Sequence, residues 1–186
     1  MFIETEATPN PDTLKFLPGK TVLETGTANF TDPDAAEVSP LASSMFAQSG
    51  VSGVFLGHDF VTITKATELE WSSLKPQVLA GLMQFFASGA PVIKEGAALA
   101  EARVDENEED ADIIDQIKTL LDEKIRPAVA GDGGDIIYRG FKEGVVYLQM
   151  QGACSGCPSS TITLKNGIEN LLKYYVPEVV DVRAVD

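Results

Sequence analysis

A chain of 186 residues with 44% hydrophobic content is long and apolar enough to bury a core in one large domain or two small ones. Its formal net charge of −14 repels the phosphates of nucleic acids and anionic membranes, so neither is expected as a main partner, and no apolar run is long enough to cross a bilayer. Two cysteines are too few for a disulfide framework and point to a reducing compartment.

The opening MFIETEATPNPD has acids where a secretory or transit sequence has bases. The expected location is therefore a bacterial cytoplasm, or an organelle matrix for a mature form. Residues 2–6 read as a strand, TPNPDT (8–13) as a turn, and residues 14–17 as a second strand ended by Pro18-Gly19. Residues 25–39 show little periodicity and read as loop. Ser39 and Pro40 supply an N-cap and N1 pair for a short helix to about Gln48, with Gly50 as its stop. Residues 51–56 and 60–65 flank Gly57-His58-Asp59 as a hairpin. His58, the only histidine, is expected at the surface of that turn. Trp71, Leu74, Val78, Leu82 and Phe85 recur at helical spacing and predict a helix over 71–87. Pro76 is expected near its first turn, where a missing N–H does no harm.

Between Glu101 and Asp115 stand eight acids, one arginine and no aromatic residue. Such a block cannot bury itself, so residues 88–111 are expected to be an acidic flexible linker between a lobe at 1–87 and a lobe at 112–186. A coil of that length would average about 25–30 Å end to end.

In the second lobe, Ile113, Ile117, Leu120, Leu121 and Ile125 predict a helix over 112–126, ended by Pro127. GDGGD (131–135) reads as a turn with positive φ at Gly133 or Gly134. It lacks the Lys-Ser/Thr of a phosphate loop and the ligand count of a calcium loop. Strands are expected over 135–141 and 145–150, hinged at Lys142-Glu143-Gly144. A helix follows over 158–174, with Leu164, Ile168, Leu171, Leu172 and Tyr175 in its stripe, and a last strand over 179–185. The fold class is α+β: two small α/β lobes joined by an acidic linker, the second α-β-β-α-β with a three-stranded mixed sheet.

Both cysteines lie in GACSGCP (152–158), between a strand and a helix. Pro158 suits N1, which puts Cys157 or a neighbour at the N-cap. The helix N-terminus should favour thiolates, and the small residues let other atoms approach the sulfurs. A thiolate-bound iron–sulfur cluster or a structural zinc ion wants four ligands, and this chain brings two thiols. Either would have to be shared between two chains across a two-fold axis. A thioredoxin-type dithiol couple is another reading of the same spacing. The missing βαβ start and the absence of an aromatic residue before Cys154 stand against it. Incidental thiols are the bland reading.

RPAVAGDGGDI (126–136) and GACSGCPSSTITLKNGIENLL (152–172) resemble the C-terminal domain of the NifU-like family. TPNPDTLKF (8–16), SGVFLGHDFVTITK (52–65) and EWSSLKPQV (70–78) resemble the N-terminal domain of its Nfu branch. The resemblance implies a scaffold and carrier for iron–sulfur clusters rather than an enzyme. It implies Cys154 and Cys157 as ligands of a [4Fe–4S] cluster shared between two subunits, with a [2Fe–2S] form as the alternative. It further implies a homodimer when loaded, and apo iron–sulfur clients and upstream assembly proteins as partners.

Overall fold

The computed structural model describes residues 1–97, 108–156 and 158–185, without the side chains of 158–160. The chain divides between Leu99 and Ala100 into two compact units.

The first unit contains β1 (Glu4–Ala7), β2 (Thr13–Leu17), β3 (Ala28–Phe30), α1 (Pro40–Phe46), β4 (Val51–Leu56), β5 (Val61–Lys65) and α2 (Trp71–Ser88). Its sheet runs β1-β2-β5-β4-β3 with every pairing antiparallel. Strand alternation turns Phe16, Val54, Leu56, Val61 and Ile63 into a core closed by Leu41 and Met45 of α1 and Leu74, Val78, Leu82 and Phe85 of α2.

Three expectations change here. The segment 25–39 contains β3, whose Ala28 and Phe30 point inward, and a 3₁₀ turn at Ala35–Val38. Three residues are too few to show a period. Pro76 lies in the second turn of α2, not the first. It leaves the Ser72 carbonyl without its usual donor, and both residues sit on the exposed face where water serves instead. Lastly, residues 92–94 are tied to this unit. Ser39 caps α1 by accepting from the Ala42 N–H at 3.1 Å and donates its own hydroxyl to the Val92 carbonyl at 2.6 Å. The Lys94 N–H donates to the Val38 carbonyl, and Val92 and Ile93 pack against the core. Residues 98–107, which hold the first part of the acidic stretch, lie outside the described residues.

The second unit contains α3 (Ala111–Leu120), a π-helical turn (Leu121–Ile125), α4 (Arg126–Gly131), β6 (Gly134–Lys142), β7 (Val145–Gly152), α5 (Pro158–Tyr175) and β8 (Asp181–Val185). The sheet order is β6-β7-β8, with β6 and β7 antiparallel and β7 and β8 parallel. The fold is α+β, with the expected mixed sheet. Pro127 does not end the helix. The wider turn re-registers the hydrogen-bond ladder, so that Pro127 falls within the first two positions of α4, where no N–H is needed. The core joins Ile114, Ile117, Leu121, Ile125 and Val129 to Ile136, Phe141, Val146, Leu148, Ile168 and Leu172. Ile114, not Ile113, is the fully buried member of its turn, and Tyr175 is 49% exposed instead of lying in the stripe. Glu143 and Gly144 both take positive φ at the β6–β7 hairpin, as its two-residue turn requires.

Candidate functional site

The cysteine loop hangs between the end of β7 and the start of α5, and short hydrogen bonds shape it. The chain leaves β7 at Gly152 with φ +63°, a conformation that suits glycine. The Ala153 N–H donates to the Gly133 carbonyl at 3.2 Å, tying the loop to the β6 turn. The Ser155 N–H and hydroxyl both donate to the Gly152 carbonyl, at 3.1 and 2.9 Å. Thr161, in the first turn of α5, donates its hydroxyl to the Cys154 carbonyl at 3.1 Å.

Cys154 is 7% exposed. Its sulfur lies against the main chain of Gly134: a Cβ there would sit 2.5 Å from the Cys154 sulfur and 2.7 Å from the Gln151 carbonyl. No larger residue fits without movement. Gly133 takes the positive φ of the turn, +82°, and Gly134 supplies the close approach. The two glycines of GDGGD therefore do different jobs. The sequence shows only a turn there, because the strand that brings Gly134 to Cys154 is paired from eighteen residues away: Gly134 stands opposite Gly152 in the β6–β7 register.

The same turn is braced from outside. Arg126, at the start of α4, donates from Nε to Asp135 Oδ1 and from Nη2 to Oδ2, both at 2.8 Å. Asp135 is 2% exposed, and its Oδ1 also accepts from the Ile136 N–H. Arg126 reaches Asp122 as well, at 3.0 Å. The hydrogen bond to Asp135 holds the guanidinium firmly protonated. Both carboxylate oxygens of Asp135 are thus engaged, which leaves it a brace and not a donor for metal.

The electrostatics at Cys154 overturn one expectation. A helix N-terminus should favour its thiolate. Instead burial, and then the negative charges of Asp132 and Asp135, push the Cys154 thiol up to about 12 from its ordinary value of 9.0. In the metal-free chain Cys154 is a neutral thiol, and any metal that takes it must displace a proton. A soft, strongly charged metal centre can do so; a weak oxygen-seeking cation cannot. The donor set thus fits iron–sulfur or zinc chemistry. Among the described residues no group of three or more His, Cys, Asp or Glu side chains could hold a metal ion. Cys157, the second expected ligand, lies outside the described residues. His58 does belong to a turn: its Nδ1 lies 2.8 Å from the Leu23 carbonyl, and its own carbonyl accepts from Val22 and Leu23. It braces the first unit.

Comparisons with known proteins bear on the family of the chain. A family model described as "Scaffold protein Nfu/NifU N terminal" matches residues 3–89, and one described as "NifU-like domain" matches residues 117–183. A human protein named "NFU1 iron-sulfur cluster scaffold homolog, mitochondrial" is 54% identical over the whole chain, which spans 72% of that protein. A protein of the same name from Drosophila erecta is 52% identical, with 65% of its length spanned. An Arabidopsis thaliana "NifU-like protein 4, mitochondrial" is 51% identical over 96% of this chain and 64% of its own length. A solution structure of a NifU-like protein from Saccharomyces cerevisiae matches 51% of this chain and 86% of its own at 33% identity, with a TM-score of 0.44.

Proposed function

Because this chain belongs to the Nfu/NifU family of scaffold proteins, we propose that it is a carrier of iron–sulfur clusters and not an enzyme. The cargo is a [4Fe–4S] cluster, or its [2Fe–2S] form, bound by Cys154 and Cys157 of two subunits and passed to apo client proteins. Upstream assembly proteins supply it. The observation that carries this reading is the Cys154 sulfur set against the Gly134 backbone in a loop that opens a helix, in a chain with only two thiols. A cluster wants four thiolates, so each chain offers half a site. Cargo held by two halves is surrendered when recipient thiolates replace Cys154 and Cys157 one at a time. A neutral, buried Cys154 is also a poor attacking group, which disfavours a dithiol oxidoreductase. The relatives' mitochondrial names favour an organelle matrix over a bacterial cytoplasm as the working compartment.

Reconstitution with iron and sulfide in the absence of air tests the reading. The protein should turn brown with about one cluster per two chains, and Mössbauer spectra should separate the two cluster types. Cys154→Ala or Cys157→Ala should abolish loading. A colourless protein that turns over disulfides, or one that carries only zinc, would overturn the proposal.

A further inference from the structure

The turn beneath the cysteine loop carries two acids in opposite circumstances. Asp135 is buried, and both of its oxygens are bonded. Asp132 is exposed, and among the described residues its side chain makes no hydrogen bond or ion pair. It stands where α4 ends. The carbonyl end of a helix disfavours a negative charge. Arg126, which could offset that charge, is bonded to Asp122 and Asp135 instead. Nothing among the described residues rewards an acid at this place; a cation drawn from solvent would.

Its position says which cation. The Gly133 carbonyl accepts from the Ala153 N–H at 3.2 Å, and a Cβ on Gly134 would lie 2.5 Å from the Cys154 sulfur, so the turn is seated directly against the loop. The Asp132 charge acts on that sulfur. Cys154 itself is 7% exposed and offers an arriving hydrated ion little surface. Asp132 sets an exposed oxygen donor beside a buried sulfur donor. Ferrous iron accepts both kinds of ligand, so it can rest on the first and pass to the second.

We propose that Asp132 is the entry ligand for ferrous iron: its carboxylate takes the ion from solvent and holds it beside Cys154 before sulfide arrives. The proposal rests on the reading of the loop as half a cluster site, and it adds how the metal gets in. The step moves no electron. A bond from iron to the Cys154 sulfur forms, the S–H bond breaks, and its proton goes to water. The Asp132 oxygen is released when a further thiolate or sulfide takes its place on the iron.

The test uses the unloaded full chain without air. It reads ferrous iron bound before sulfide, by titration calorimetry, then the rate at which brown colour grows once sulfide is added, and last the final iron per chain. Asp132→Asn should weaken ferrous binding and slow the colour by about tenfold each, while final iron per chain stays the same. Asp132→Glu should recover most of both. Asp115→Asn removes the same charge from an exposed position on α3 and should change neither. The urea midpoint of Asp132→Asn should not fall, since the side chain is exposed and unbonded. An Asp132→Asn protein that colours as fast as wild type, or faster, overturns the proposal, because Asp132 would then act only as a charge beside a thiol. So does an equal loss in Asp115→Asn, and so does a wild type that binds no ferrous iron until sulfide is present. Each of these leaves the carrier reading intact. A wild type that never takes up iron and sulfide overturns the carrier reading, and the entry ligand falls with it.

Discussion

Two residues far apart in sequence, Gly134 and Cys154, set the local chemistry, and each makes a prediction. Gly134→Ala drives a methyl group into the Cys154 sulfur and the Gln151 carbonyl. The carbonyl is backbone and cannot swing aside. We expect a loss of about 1–3 kcal/mol in urea unfolding, together with weaker cluster loading. Cys154 makes the second prediction. Its thiol is raised to about 12, so the thiolate fraction keeps growing well above pH 9. In the metal-free protein, the rate of Cys154 alkylation, followed by peptide mass, should still be climbing at pH 10–11, where an ordinary cysteine has levelled off. A plateau near pH 9 would contradict the buried, acid-flanked setting. The identity of Cys154 was legible in the sequence from the CxxC spacing alone. Its protonation was not, because Asp132 and Asp135 reach it through strand pairing and not through neighbouring sequence.

At the scale of elements, the brace between α4 and β6 decides whether the site keeps its shape. Arg126→Ala removes both hydrogen bonds to a carboxylate that is almost wholly buried. Breaking such a pair costs about 3 kcal/mol, the low end of the usual range because Arg126 itself stays partly exposed. The urea midpoint should fall accordingly, and loaded cluster should be lost faster. Arg126→Lys should recover only part of the loss, since an ammonium cannot span both oxygens. Elements with a long period, such as α2, α3 and α5, were legible from their apolar spacing. The strand β3 was not, since Ala28–Phe30 is shorter than any period. The π turn was not either, since it arises from the fit of Pro127 into a continuing helix and leaves no mark in the pattern.

The chain divides into two units, and among the described residues each unit's core is built from its own residues. We therefore expect a chain lacking residues 1–97 to fold and to take up cluster as the full chain does. If the first unit docks clients, the shortened chain should bind a given apo client several-fold more weakly in titration calorimetry, while iron per chain stays the same. Equal client affinity would remove that role. The cut belongs after residue 97 and not 87, because Val92 and Lys94 are fastened to Ser39 and Val38. Sequence composition shows where a chain turns acidic. It does not show which residues before that point are held by hydrogen bonds from fifty positions away.

One consequence follows from the bond that the Ala153 N–H makes to the Gly133 carbonyl. It fastens the two ends of the β6–β7 hairpin to each other beside the Cys154 sulfur, so whatever seizes that sulfur must strain or tighten this one link. The rate at which the Ala153 amide trades its hydrogen with solvent would then be a gauge of whether the loop is filled.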